Sequence, residues 1–144
     1  MLRMSQKSIE AIQAHGAASY PFEGCGLLLG RAEKDLNIVE EIFPVPNSWP
    51  IEEEKTVRFR ISDRDMLQAE LAAAERALDI VGVFHSHPDS PPVASPRDLA
   101  WAAWPGHSYL ITEVNGRQPG RSRSWLLKPD RSGFDEEPIT IDQA

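Results

Sequence analysis

Residues 56–61 alternate apolar and polar side chains, Val57, Phe59 and Ile61 against Arg58 and Arg60. A period of two belongs to a strand with one buried and one wet face, so a half-exposed strand is expected there. Two other stretches, 25–29 (Cys-Gly-Leu-Leu-Leu) and 80–84 (Ile-Val-Gly-Val-Phe), are apolar throughout and predict strands buried on both faces. Further strands are expected at 36–43, 108–114 and 122–127, with a last edge strand at 138–141. Helical spacing predicts a helix over 5–19 with Ile9 and Ile12 on one side, stopped at Tyr20-Pro21 because the residue before proline is pushed out of the helical region. A second helix follows Ser62, a capping serine with Asp65 three residues on, and carries Leu67, Leu71, Ala74 and Leu78 as one apolar stripe. A short helix is expected at 95–103. Residues 44–55 hold three prolines and three consecutive glutamates and predict a loop. Helices interspersed with strands, some of them consecutive, imply an α/β or α+β fold around one mixed sheet.

The chain has 144 residues, enough for one domain over 1–144 that buries roughly two-thirds of its unfolded surface without disulfides. Its single cysteine, Cys25, fits a reducing, cytoplasmic setting. The amino terminus has no apolar run of the kind a signal peptide needs, and no stretch is long enough to span a membrane. Net charge is −7, from 15 basic and 22 acidic side chains, which argues against nucleic acid as a partner. The late basic residues Arg117, Arg121, Arg123, Lys128 and Arg131 read as solvated turns and strand edges, or as a patch for an acidic protein. Oligomeric state is not set by any of this.

Chemistry concentrates in His85-Ser86-His87-Pro88 and Ser95-Pro96-Arg97-Asp98. On a strand, residues two apart share a face, so His85 and His87 present two imidazoles side by side. A carboxylate from the following turn completes a zinc ligand set and leaves the fourth tetrahedral position for water. Asp98 is the expected third ligand; Asp89 is its rival, so close to His87 that the turn would aim it away. Glu23, just before the buried strand at 25–29, is the expected general base. Each piece has a plain structural alternative. Ser95, Pro96 and Asp98 also read as an ordinary helix start, Cys25 as a small buried residue, and His15 as a helix-surface group. His107 has no partner at ligand spacing.

Together these residues resemble the JAMM/MPN+ family of zinc isopeptidases, whose pattern is an upstream glutamate, His-x-His-Pro, a spacer and Ser-x-x-Asp. Glu23, His85, His87, Pro88, Ser95 and Asp98 match it in order, and the likeness extends over roughly residues 5–128, including 21–30 and 81–84. The resemblance implies a cytidine deaminase-like fold, a curved mixed sheet flanked by helices. It implies zinc on His85, His87 and Asp98, Glu23 as proton shuttle, and the Ser95 hydroxyl as a donor to the developing oxyanion. The short chain looks like the prokaryotic branch, which acts on ubiquitin-like sulfur-carrier proteins after their carboxy-terminal Gly-Gly; the loop at 44–55 would flank the cleft. Alternatives are a peptidase on cell-wall or phage-tail peptides and a metal-free scaffold module, against which the full ligand set speaks. A nucleobase deaminase is dismissed, since its His-x-Glu and Pro-Cys-x-x-Cys are absent.

Overall fold

A computed structural model describes residues 1–143. In chain order the elements are β1 (Leu2–Ser5), α1 (Gln6–Ser19), β2 (Cys25–Glu33), β3 (Leu36–Val45), α2 (Asp63–Glu75), β4 (Asp79–Pro88), α3 (Pro96–Trp101), β5 (Ser108–Asn115), β6 (Gln118–Leu127), β7 (Phe134–Glu137) and β8 (Ile139–Asp142). The strands form one eight-stranded sheet in the order β7-β6-β5-β4-β2-β3-β1-β8. The β4–β5, β1–β3 and β1–β8 pairs are parallel, whereas β2 pairs antiparallel with both β3 and β4. This is the curved, mixed α/β sheet expected.

The continuous apolar runs lie at the centre because they have no face to give to water. In β2, Leu27 and Leu29 point into the core under α2 and α3, and Leu28 into the core under α1. Ile9 and Ile12 of α1 pack there with Val81, Phe84 and Leu110. Ser5 caps α1 by accepting from the Ser8 N–H at 3.0 Å. Gly82 lets β4 and β5 close up, since a Cβ there would lie 2.1 Å from the Ser108 carbonyl oxygen.

The β2–β4 register slips between Leu28 and Leu29: Leu28 faces Gly82, but Leu29 faces Ile80. Val81 is thus an extra residue, a β-bulge that reverses the phase of the strand beyond it. Ile80 packs on the α2–α3 side, as does Val83 three residues later. His85 and His87 follow Val83 in phase and face the same side.

Several expectations are corrected. Residues 56–61 form no strand. A 3-10 turn runs over Glu52–Thr56, and the extended segment beyond it bonds to Asn47 instead of to a neighbouring strand. The Asn47 amide donates to the Arg58 carbonyl at 2.9 Å and accepts from the Arg60 N–H at 3.2 Å. Phe59 and Ile61 still bury, while Val57 is 46% exposed. On α2, Leu67 and Leu71 are 52% and 51% exposed, and Ala69 and Ala73 face the sheet. Alanines let the helix lie close against Leu27 and Leu29, which turns the larger leucines outward. β1 and β7 were not anticipated. The late basic residues are largely engaged within the chain: Arg121 with Glu113, Arg123 with Glu136 and Lys128 with Asp135. No helix among the described residues is long and apolar enough to cross a membrane.

Candidate metal centre

His85 lies between Cys25 of β2 and Ile111 of β5, and His87 lies beside Glu113 of β5. β2 begins only at Cys25, so the chain just before it covers that flank of β4. Gly24 is held there twice: its carbonyl accepts from the Ser86 N–H at 2.9 Å, and its N–H donates to Ser86 Oγ at 2.7 Å. The Glu23 N–H donates to the Lys55 carbonyl at 2.7 Å, and the Glu23 carbonyl accepts from the Asn47 amide at 3.0 Å. With its backbone tied on both sides, Glu23 aims a buried carboxyl at the histidines.

The opposite flank is built by α3. Ser95 Oγ accepts from the Asp98 N–H at 3.1 Å, and the Ser95 N–H donates to Asp98 Oδ2 at 2.8 Å. This reciprocal cap starts the helix and fixes the Asp98 rotamer. The helix-start reading of Ser95 and Asp98 therefore holds, and the same cap turns the Asp98 carboxylate toward the two histidine rings. Asp98 Oδ1 lies 3.1 Å from His85 Nε2, and Oδ2 lies 3.1 Å from His87 Nε2. The two Nε2 atoms are themselves 3.1 Å apart. A Glu23 carboxylate oxygen and the two ring nitrogens all fall within 4.8 Å of one another.

His87 Nδ1 sits 2.8 Å from the Pro91 carbonyl oxygen; with the ring proton on Nδ1 it donates to that carbonyl, the tautomer that presents Nε2 as a lone pair to a metal. Phe59 stacks on His85 with centroids 4.5 Å apart and backs onto Trp101. Burial pushes the His85 pKa down, partly offset by the Asp98 charge. For Asp98, burial would raise the pKa, but the adjacent His85, the close contacts with both ring nitrogens and the Ser95 N–H hold it well below the usual carboxylate range. Burial first, then repulsion from Asp98, push Glu23 up to about 9, against a smaller pull from Arg97.

The donor chemistry fits a divalent ion. With both rings unprotonated at Nε2, their lone pairs converge with an ionised carboxylate, and Glu23 Oε1 is buried with no hydrogen-bond partner among the described residues. Acceptors facing acceptors repel unless they share a cation. A tetrahedral site with bonds near 2.1 Å has ligand–ligand edges of about 3.4 Å, close to the spacing here.

Asp89 is turned elsewhere: it accepts from the Tyr20 hydroxyl at 2.6 Å and from the Gly116 N–H at 3.0 Å. Cys25 is fully buried and its thiol is pushed up to about 12 by burial, with Glu23 and Asp65 adding to it. His15 is half-buried, with its ring 6.0 Å from Phe84, and does not lie on an open helix surface. Two hollows open beside the histidines. One of about 190 Å³ is lined by Glu23, Thr56, His87, Pro88, Ser95 and Arg97 among others. The other, of about 380 Å³, is lined by Trp49, Val57, Phe59, Arg97, Asp98 and Trp101 among others. Sequence reasoning missed Asn47, Phe59 and Arg97. Asn47 carried a signal, an amide between Pro46 and Trp49 in a loop with no other ladder to satisfy it.

Residues 5–128 match the family model described as prokaryotic homologs of the JAB domain. The chain is 32% identical over 120 residues to a desampylase of Haloferax volcanii, covering 81% of this chain and 83% of that one. It is 36% identical over 97 residues to the "Probable TtuB-protein conjugate cleaving protease" of Thermus thermophilus, covering 67% of this chain and 60% of that one. It is also 34% identical over 134 residues to tail tip assembly protein K of Escherichia phage N15, covering 86% of this chain but only half of that protein. A solved structure, protein DSY2949 of Desulfitobacterium hafniense, superposes with TM-score 0.87 at 32% identity, over 100% of this chain and 94% of that one. With its buried Glu23, His85 and His87 group at the expected strand end, the chain belongs to the prokaryotic JAB branch of the JAMM metallopeptidases.

Proposed function

We propose that residues 1–144 act as one peptidase domain, in the cytoplasm, on a ubiquitin-like sulfur-carrier protein, hydrolysing the amide bond after its carboxy-terminal Gly-Gly. One observation carries the chemistry: Asp98 touches both imidazoles while Glu23 closes the opposite side. His85, His87 and Asp98 are the zinc ligands in this reading. Asp98 takes that role over Glu23 because it already contacts both Nε2 atoms and is ionised, whereas buried Glu23 holds its proton until a cation arrives.

A zinc ion held by His85, His87 and Asp98 would supply Lewis-acid polarisation of the scissile carbonyl, a lowered water pKa and a positive charge that favours the ionised form of Glu23. Glu23 takes a proton as water adds to the carbonyl carbon, then returns it to the leaving nitrogen as the C–N bond breaks. Ser95 Oγ already accepts from the Asp98 N–H, so its own hydrogen remains to donate to the oxyanion. Phe59 packs flat on His85 and keeps water off that ring.

The carrier assignment is supported by what the Thermus thermophilus relative is named for, cleavage of a protein conjugate. The buried free thiol of Cys25 suits a reducing compartment. Incubating zinc-loaded protein with a Gly-Gly-ended carrier joined to a second residue or protein is expected to release the carrier, with no release from Glu23→Gln. The likeness to tail tip protein K favours a second reading, a peptidase on phage-tail or cell-wall peptides. Cleavage of such peptides with none of the carrier adduct would establish it in place of the first.

A further inference from the structure

The two hollows beside the histidines share Val57 and Arg97. Arg31, Arg58, Arg76, Arg121 and Arg123 each pair with a carboxylate. Arg97 makes no such pair among the described residues, although it stands at the rim of the reaction centre. An arginine fork is shaped for a carboxylate, and among the described residues only Glu23 acts on Arg97, from beyond ion-pair distance.

The chemistry proposed above decides which end of a substrate Arg97 meets. Glu23 returns the proton to the leaving nitrogen, so the amine departs into the hollow that Glu23 lines. That hollow is the smaller one, bounded by Pro88, Pro91 and Val93, and it suits a single residue. The larger hollow, walled by Trp49, Val57, Phe59 and Trp101, is left for the acyl side. A released α-amino acid carries amine and carboxylate on one carbon, so its carboxylate falls within the same small hollow as the guanidinium. A lysine side chain released from an isopeptide brings an amine there with no charge of opposite sign to Arg97.

We propose that Arg97 binds the α-carboxylate of the residue being released, and so selects a chain extended by one carboxy-terminal amino acid over one joined to a lysine side chain. This rests on the peptidase reading above and adds the identity of the leaving group. Arg97 is exposed, and its pairing with a carboxylate is charge-assisted, so its loss corresponds to about a 10-fold change in kcat/KM.

The test uses a synthetic peptide ending in Gly-Gly-Ala, made as the free acid and as the carboxamide. Turnover is measured with zinc-loaded wild type and Arg97→Gln, and binding by titration calorimetry with zinc-loaded Glu23→Gln. Wild type is expected to prefer the acid by about tenfold, through KM more than kcat. Arg97→Gln is expected to lose that preference by slowing on the acid alone, and Arg97→Lys to keep part of it. Binding to Glu23→Gln is expected to show the same preference without any turnover. Equal handling of acid and amide by wild type, including none of either, overturns the assignment, as does a loss in Arg97→Gln that is equal for both. An acid preference on the peptide with no action on a carrier adduct sinks the carrier reading and leaves Arg97 in place.

Discussion

The Asp98 carboxylate spans both rings at the end of β4, with Oδ1 3.1 Å from His85 Nε2 and Oδ2 3.1 Å from His87 Nε2. The same Oδ2 also accepts the Ser95 N–H at the start of α3, so a helix cap orients the carboxylate proposed as the third zinc ligand. Asp98→Asn keeps the shape but turns an amide group toward one ring nitrogen. Zinc affinity, measured by chelator competition, is expected to fall by more than the 10- to 100-fold that loss of an outer partner costs. Undiminished affinity would hand the ligand role to Glu23.

Glu23→Gln preserves volume and removes the carboxyl proposed as the proton acceptor. Zinc content is expected to stay stoichiometric while kcat drops by about 10²- to 10⁴-fold. Full turnover in this variant would take Glu23 out of the mechanism.

Metal-free protein carries the cost of burying Glu23. Its pKa is raised from 4.5 to about 9 on folding, so between those values the folded state binds more protons than the unfolded one. Unfolding free energy therefore falls as pH rises through that window, by up to about 1.4 kcal/mol per pH unit. His85 is lowered from 6.5 and contributes the opposite slope below that pH. Urea unfolding at about pH 5 and about pH 8, compared between chelated wild type and Glu23→Gln, isolates Glu23: the variant is expected to lose less stability. Parallel profiles would count against a carboxyl buried in its neutral form.

Asn47 donates from one amide nitrogen to the carbonyls of Glu23 and Arg58, and its oxygen accepts the N–H groups of Trp49 and Arg60. Asn47→Asp places an acceptor where two donors are required, at about 1–3 kcal/mol. A lower melting temperature and a reduced kcat are expected, with zinc affinity unaltered because no ligand moves. Unchanged kcat would show that Glu23 keeps its place without this clamp.

Much of the centre was legible along the chain because its signals are local. A strand's period of two puts His85 and His87 on one face, and Ser95, Pro96 and Asp98 spell a helix start within four positions. The runs at Leu27, Leu28 and Leu29 and at Ile80 to Phe84 marked the inner strands, since side chains that are all apolar have only the interior to occupy. The turn at Asp89 also had a local reading, confirmed by its bonds to Tyr20 and Gly116.

What tertiary structure decided was partnership and phase. Residues 56–61 have a strand's alternation, yet a strand needs a ladder of backbone bonds, and here the segment finds one, from the Ser48 N–H to the Arg60 carbonyl, beside the Asn47 side chain. Leu67 and Leu71 keep helical spacing, but the side of α2 that meets the sheet is set by how closely alanines allow it to approach. Which sheet face receives the histidines follows from one extra residue, Val81, opposite the Leu28–Leu29 step. The sequence by itself determined the donors and their local geometry, because caps and periodicity act within a few residues. Only the folded chain could bring Glu23, 62 positions upstream of His85, against the rings, because that distance is closed by hydrogen bonds between Gly24 and Ser86 that no local pattern encodes.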